Sequence, residues 1–281
     1  MSQHPSPLRV AAIDFLNPAP LMYDFEHTDR LAERYTLNYT LPSQCAADLL
    51  AGRADLGLIP IAALTPELAV VPGCVIASLD RVRSIQLVIK QPYTLETVRT
   101  VAADNASRSS LAYSQILFRT FSANSPVYVS SPADPKAMLA QADAALLIGD
   151  PALLALEARA EIEAAVGPCT WLDIAHEWHT RLNLPWVAAV WAVRPESLTN
   201  VTAAQLIEDL HSSRTNGLAH IERIVETWTP RIAIAPATIR EYLTHNLHYT
   251  LDEPCIAAIG AFRRLAAEAQ ALPPLPELRF L

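Results

Sequence analysis

Glycine is scarce in this chain: seven in 281 residues. None stands in a GxGxxG or GxxxxGK pattern, which argues against the glycine-cradled nucleotide sites that those patterns build. No GxSxG elbow is present, so the strand-turn-helix nucleophile of the α/β-hydrolases is not indicated. The four cysteines, Cys45, Cys74, Cys169 and Cys255, are widely spaced and form no CxxC pair. They read as buried free thiols. Charge is low as well, at 18% of residues, and what there is sums to −8. An acidic surface repels phosphate backbones and anionic lipid, so neither nucleic acid nor membrane is an expected partner. No uncharged apolar run reaches the roughly 18 residues that a spanning helix needs. The opening residues lack a basic stretch followed by an apolar core and a cleavage site, so a cytoplasmic protein is expected.

Hydrophobic residues make up 51% of the chain, enough for one large domain or two ordinary ones. Short strand-like runs alternate with helical patterns, the sign of an α/β fold. The runs are Leu8–Asp14, Ala54–Ile61, Ser84–Lys90, Thr97–Ala103, Val127–Ser131, Ala144–Asp150 and Trp186–Val193. Pro18 suits a helix start. A helix over 44–51 has Ser43 as a candidate cap and Gly52 as a stop; another covers 108–121. After Pro195 only helical spacing remains, as in Leu218, Ile221, Ile224, Val225 and Trp228. Lys90-Gln91-Pro92 and Val193-Arg194-Pro195 each end a strand at a proline and read as crossings between lobes. They give a discontinuous first lobe, 1–92 plus 193–281 with its helical tail, and a second lobe, 93–192, with a cleft between them.

Candidate site residues cluster at strand ends. In open α/β sheets, ligands lie beyond the carboxyl ends of strands. Asp14 and Asn17 occupy the first such end, and the Asn17 amide offers both a donor and an acceptor there; a simple cap would also account for it. Ser107, Arg108, Ser109 and Ser110 open the 108–121 helix, where hydroxyls and unpaired amides form a nest for a carboxylate. Gly149 and Asp150 end the 144–150 strand and permit close backbone approach to a ligand, or a cap. Arg83 and Ser84, with Arg81, precede a strand expected to line the cleft, and an arginine there suits a carboxylate. His176 and His179 share one helical face, as do His245 and His248, but neither pair has the further ligands of a zinc site. No metal and no cofactor is expected. The partner implied by these groups is a small anionic carboxylate.

Several of these segments resemble the menaquinone-biosynthesis enzymes of the futalosine pathway. IDFLNPAPL is similar to their SYLNxxPL opening, and ADLGLIPIAAL to their DLGxxPxxxL strand and turn. NASRSS resembles their serine and threonine run. DAALLIGDPAL and LDIAHEWHTRLNLPWVAAVWAVRPE resemble two long segments of the chorismate dehydratases. Together the matches span most of 9–196. Asp14-Phe15 stand where the family has Ser-Tyr, and Arg81-Val82-Arg83 where it has a glycine-rich stretch. The resemblance implies a type II periplasmic-binding-protein-like fold, no cofactor, and a lyase that dehydrates chorismate to 3-[(1-carboxyvinyl)oxy]benzoate. It further implies that the substrate's enolpyruvyl carboxylate acts as the base, oriented by Asn17. Two other readings stay open: an enzyme like 1,4-dihydroxy-6-naphthoate synthase, and a non-enzymatic binding protein for a small carboxylate.

Overall fold

The computed structural model describes residues 7–40, 42–103, 108–275 and 277–281. Two five-stranded sheets form the two lobes. The first has the order β2-β1-β3-β10-β4, from β1 (Leu8–Ile13), β2 (Tyr35–Thr40), β3 (Leu56–Pro60), β4 (Ala69–Ser78) and β10 (Trp186–Val193). The second has the order β7-β6-β8-β5-β9, from β5 (Ile85–Lys90), β6 (Thr100–Ala103), β7 (Val127–Ser130), β8 (Ala144–Ile148) and β9 (Cys169–Asp173). β3 and β8 are buried at every position. Their unbroken apolar runs fit strands covered on both faces.

Each lobe admits the chain through an antiparallel strand. β5 runs antiparallel to β8 and β9, and β10 antiparallel to β3 and β4. The crossings therefore fall earlier than the prolines suggest. β5 already belongs to the second sheet, so the first crossing is the 79–84 segment rather than 90–95. The return lies between β9 and β10, within 174–185, rather than at 190–196. Gln91-Pro92 instead forms a turn inside the second lobe, where the Tyr93 N–H bonds the Lys90 carbonyl.

The helices are α1 (Tyr23–His27), α2 (Pro42–Leu50), α3 (Arg108–Phe121), α4 (Pro135–Gln141), α5 (Gly149–Glu157), α6 (Arg159–Val166), α7 (Ile174–Leu182), α8 (Ala203–Ala219), α9 (Ile221–Trp228), α10 (Pro236–Glu241) and α11 (Glu253–Glu268). No helix among the described residues is long and apolar enough to cross a membrane. The helix expected at Pro18 starts only at Tyr23. Pro18 and Pro20 have no N–H to give, and 17–22 winds instead through the Ala19–Leu16, Leu21–Pro18 and Met22–Pro18 backbone bonds.

The helical tail packs on the first lobe. Ser213 of α8 donates to the Leu21 carbonyl and accepts the Asp24 N–H. α11 also reaches the second lobe, where the Phe262 ring meets Tyr113 of α3 at 4.5 Å between centroids. The Tyr113 hydroxyl then donates to the Val187 carbonyl of β10, tying the lobes through the core.

Candidate active site

A cleft of about 560 Å³, open to solvent, lies where the lobes face each other. The first lobe lines it with Ile13, Phe15 and Asn17 at the end of β1, Pro60 and Ile76, and Trp186, Ala188 and Ala189 from β10. The crossing adds Ser84, and the second lobe adds Ser109, Ile148 and Gly149.

Asn17 is held from behind. The Tyr249 hydroxyl donates to its carbonyl at 3.1 Å. α8 presses on the same turn: Gly217 packs directly against the Pro20 backbone. The side chain faces the cleft, and its Oδ1 is shielded without a hydrogen-bond partner among the described residues. The indole Nε1 of Trp186, another lining residue, is likewise shielded and unpartnered. Two residues of the cleft wall thus each carry a shielded polar atom unpaired among the described residues. Buried polar groups left unpaired are uncommon in proteins, and a cleft is where a ligand can pair them.

The serines sit deeper. Ser109 is buried, and its Oγ accepts the Ala62 N–H across the lobes at 3.1 Å. Ser84 is buried too, and its Oγ accepts from the Tyr242 hydroxyl at 2.8 Å. Burial raises the Tyr242 phenol well above its ordinary value, so it remains a donor. Each serine keeps its own hydroxyl proton to donate. Gly149 has φ +60 and gives its N–H to the Ser84 carbonyl. A Cβ there would stand 3.1 Å from the Phe15 ring, so both the backbone twist and the space call for glycine.

Asp150 adds a further bond between the lobes. Its Oδ1 accepts the Leu16 N–H at 3.1 Å. Burial is the main cause that pushes its carboxyl up to about 6, with the nearby Asp14 charge adding to it. Asp14 does not line the cleft: it is exposed and paired with Arg231, which lies over the Trp228 ring. The expected help from Arg83 is also not in the cleft. Its N–H bonds Asp173, and its guanidinium turns toward Glu157 on the outer side of the second lobe. Arg108 is exposed and Ser110 buried, and neither lines the cleft. Ser107 lies outside the described residues.

No cationic side chain lines the cleft among the described residues. Two helix starts, those of α3 and α5, bring Ser109 and Gly149 to the wall. Unpaired N–H groups and the helix dipole favour an anion at such ends. Tyr242 and Tyr249 carry no local signal in the sequence, because they reach the site from the tail across more than 150 positions. Trp186 carries no sequence signal beyond its place in a strand-like run.

The histidines lie elsewhere. His176 pairs with Asp80, and His179 sits on the same short helix with its Nδ1 unpartnered among the described residues. One trio, His248, Asp252 and Cys255, brings potential metal-ligating atoms within 4.8 Å of one another. Asp252 already caps α11 through the Cys255 N–H and bonds His248 at 3.0 Å. Burial pushes the Cys255 thiol up to about 12.

A family model described as menaquinone biosynthesis matches residues 8–268. The chain belongs to that family. Among curated relatives, the chorismate dehydratase of Thermus thermophilus is 29% identical over 273 residues, 93% of this chain and 94% of its own. A solved protein of Archaeoglobus fulgidus superposes with a TM-score of 0.72 at 16% identity, covering 96% of this chain and 99% of its own. The periplasmic aliphatic sulphonate binding protein of Escherichia coli gives 0.65 at 15% identity, covering 99% and 94%. At those identities the solved structures establish the fold, which is of the periplasmic-binding-protein kind in this menaquinone-biosynthesis family member.

Proposed function

We propose that the protein is a chorismate dehydratase, a carbon–oxygen lyase that converts chorismate to 3-[(1-carboxyvinyl)oxy]benzoate. The similarity to the Thermus thermophilus enzyme along nearly the whole chain supports this reading. The observation in the molecule that carries it is the Asn17 side chain, set in the interlobe cleft with an unsatisfied Oδ1.

The reaction asks little of the protein. A ring C–H gives up its proton, the hydroxyl leaves from the adjacent carbon, and water forms as the ring becomes aromatic. Aromatisation makes the step strongly downhill, so the site has to position, desolvate and supply hydrogen bonds. The substrate is a dianion. One carboxylate accepts from the Ser109 hydroxyl and the N–H groups at the start of α3. The Trp186 indole N–H and the Ser84 hydroxyl serve the other polar groups. The Asn17 amide orients the enolpyruvyl carboxylate, which takes the ring proton, or assists the departing hydroxyl. Apolar walls from Ile13, Phe15, Ile76 and Ile148 exclude water and fit the flat product.

The test is Asn17→Asp against the wild type with chorismate as substrate. The substitution is nearly isosteric but sets a negative charge beside a dianion. Turnover should fall by 100-fold or more, on the order of a lost transition-state hydrogen bond together with added repulsion. The fold, read by far-UV circular dichroism, should be unchanged. Turnover like the wild type's would remove Asn17 from the reaction and leave this assignment without its main support in the cleft.

A further inference from the structure

The Arg81-Val82-Arg83 step is a feature of the sequence that the cleft leaves unused. It belongs to the 79–84 crossing, with Val82 buried and the two arginines facing the outer side of the second lobe. There a hollow of about 730 Å³ opens to solvent. Arg81, Arg83 and Arg159 line it, and Leu156 and Trp171 supply apolar wall. Three cations from two distant segments thus converge on one concavity, in a chain whose net charge is −8.

Acids lie nearby, and two of the three are already engaged, Asp173 by backbone N–H groups and Glu163 by the Trp171 indole and by Arg159 itself. Asp173 accepts the N–H groups of Val82, Arg83, Ala175 and His176, so its charge is spent on the crossing and on the start of α7. Glu163 accepts from both Arg159 and the Trp171 indole, each at 2.8 Å. Glu157 comes only to 3.6 Å from Arg83, too far for a hydrogen bond, and both side chains remain partly exposed. Two guanidinium groups therefore have capacity left. Arg83 Nε is shielded from solvent without a hydrogen-bond partner among the described residues. The Arg81 guanidinium makes no ion pair among them. A guanidinium N–H withheld from water without an acceptor is costly, and an incoming oxyanion relieves that cost.

The geometry of the wall narrows the ligand. A guanidinium fork matches a carboxylate edge-on with two parallel bonds. The Trp171 ring, with Arg159 placed 5.5 Å from its centroid, and the Leu156 side chain give a flat apolar surface beside the forks. We propose that this hollow is a second ligand site, for a planar aromatic carboxylate. Its carboxylate is held by Arg81 and Arg83 from the crossing and by Arg159 from α6, and its ring lies against Leu156 and Trp171. The proposal is independent of what the cleft between the lobes binds.

The probe is isophthalate, titrated into the full chain by calorimetry and by tryptophan fluorescence, with inorganic phosphate in a parallel arm. Isophthalate should bind saturably with quenching, and Trp171→Phe should remove that quenching. Arg81 and Arg159 are exposed, so Arg81→Gln and Arg159→Gln should fold normally; each should weaken binding about ten-fold or more, as expected for a lost charge-assisted bond. Asn17→Asp, which alters the cleft, should leave this binding intact. Phosphate should bind more weakly than isophthalate, since it gains nothing from the apolar wall. No binding, binding indifferent to both arginine substitutions, or binding lost only in Asn17→Asp would overturn the proposal. Phosphate binding as tight as isophthalate would overturn the assignment of an aromatic ligand.

Discussion

Replacing Gly217 by alanine sets two effects of opposite sign against each other. In a helix interior, Gly→Ala ordinarily stabilises by about 1 kcal/mol, because alanine loses less backbone entropy. Gly217 is in α8, so propensity alone favours the change. The structure opposes it. A Cβ on Gly217 would stand 2.6 Å from Pro20 Cα and closer still to the Pro20 carbonyl oxygen. Both are backbone atoms, which cannot rotate away as a flexible side chain would. Overpacking of this kind costs about 1–3 kcal/mol, with the upper end expected where backbone must shift. The net expectation is destabilisation of about 2 kcal/mol. Gly260 is the internal control. It lies in α11, is exposed, and a Cβ there would meet nothing within 4 Å. Gly260→Ala should therefore stabilise by about 0.5–1 kcal/mol. Urea midpoints for the two variants should move in opposite directions. The Pro20 turn also carries Asn17, so Gly217→Ala should lower chorismate turnover while still folded, and Gly260→Ala should not. Equal midpoint shifts of the same sign would show that α8 does not press on the turn as described.

The site and the crossing allow further tests. Asp150 has its carboxyl raised to about 6 from an ordinary 3.8, mainly by burial. The folded state therefore binds this proton more tightly than the unfolded chain, and stability should be fullest below about pH 4 and decline through about pH 6, by at most roughly 3 kcal/mol and less because the group is partly exposed. Asp150→Asn keeps an acceptor for the Leu16 N–H and should flatten that decline, which urea midpoints between pH 4 and 7 would reveal. Ser109→Ala leaves the Ala62 N–H without its partner across the lobes and should raise the KM for chorismate about ten-fold. Asp173→Ala strips the acceptor from four backbone N–H groups and should lower stability by about 3 kcal/mol or more, measured by thermal unfolding.

The parts of the fold that could be read from sequence were those whose burial is continuous. LGLIP and AALLI are apolar throughout because both faces are covered, and α3 begins and ends where its pattern does. Three strands gave no such signal. β2 is an edge strand with mostly part-exposed residues, and β9 is a short edge strand. β4 is interrupted by Pro72-Gly73, where its pairing with β10 shifts register. The lobe boundary was misplaced for a related reason. A proline after a strand marks a turn, but it does not say which sheet the strand joins; only the pairing of β5 with β8 and β9 does. At the site, Asn17, Ser84, Ser109 and Gly149 were visible because strand ends and helix starts carry local signatures. Arg83 was not placed correctly, because the chain bends just before β5, with Arg83 at φ +66, and turns the two side chains apart: Ser84 enters the cleft and Arg83 faces away. Tyr242 and Tyr249 depend on how the tail folds back, which local pattern does not record.

The central claim is tested most directly by incubating the purified chain with chorismate and following the product by mass spectrometry and proton NMR. The account predicts catalytic loss of one water and the appearance of a benzoate ring that keeps its enolpyruvyl ether. Chorismate recovered unchanged, even while bound to the protein, would contradict it and leave the menaquinone-biosynthesis family member with another substrate.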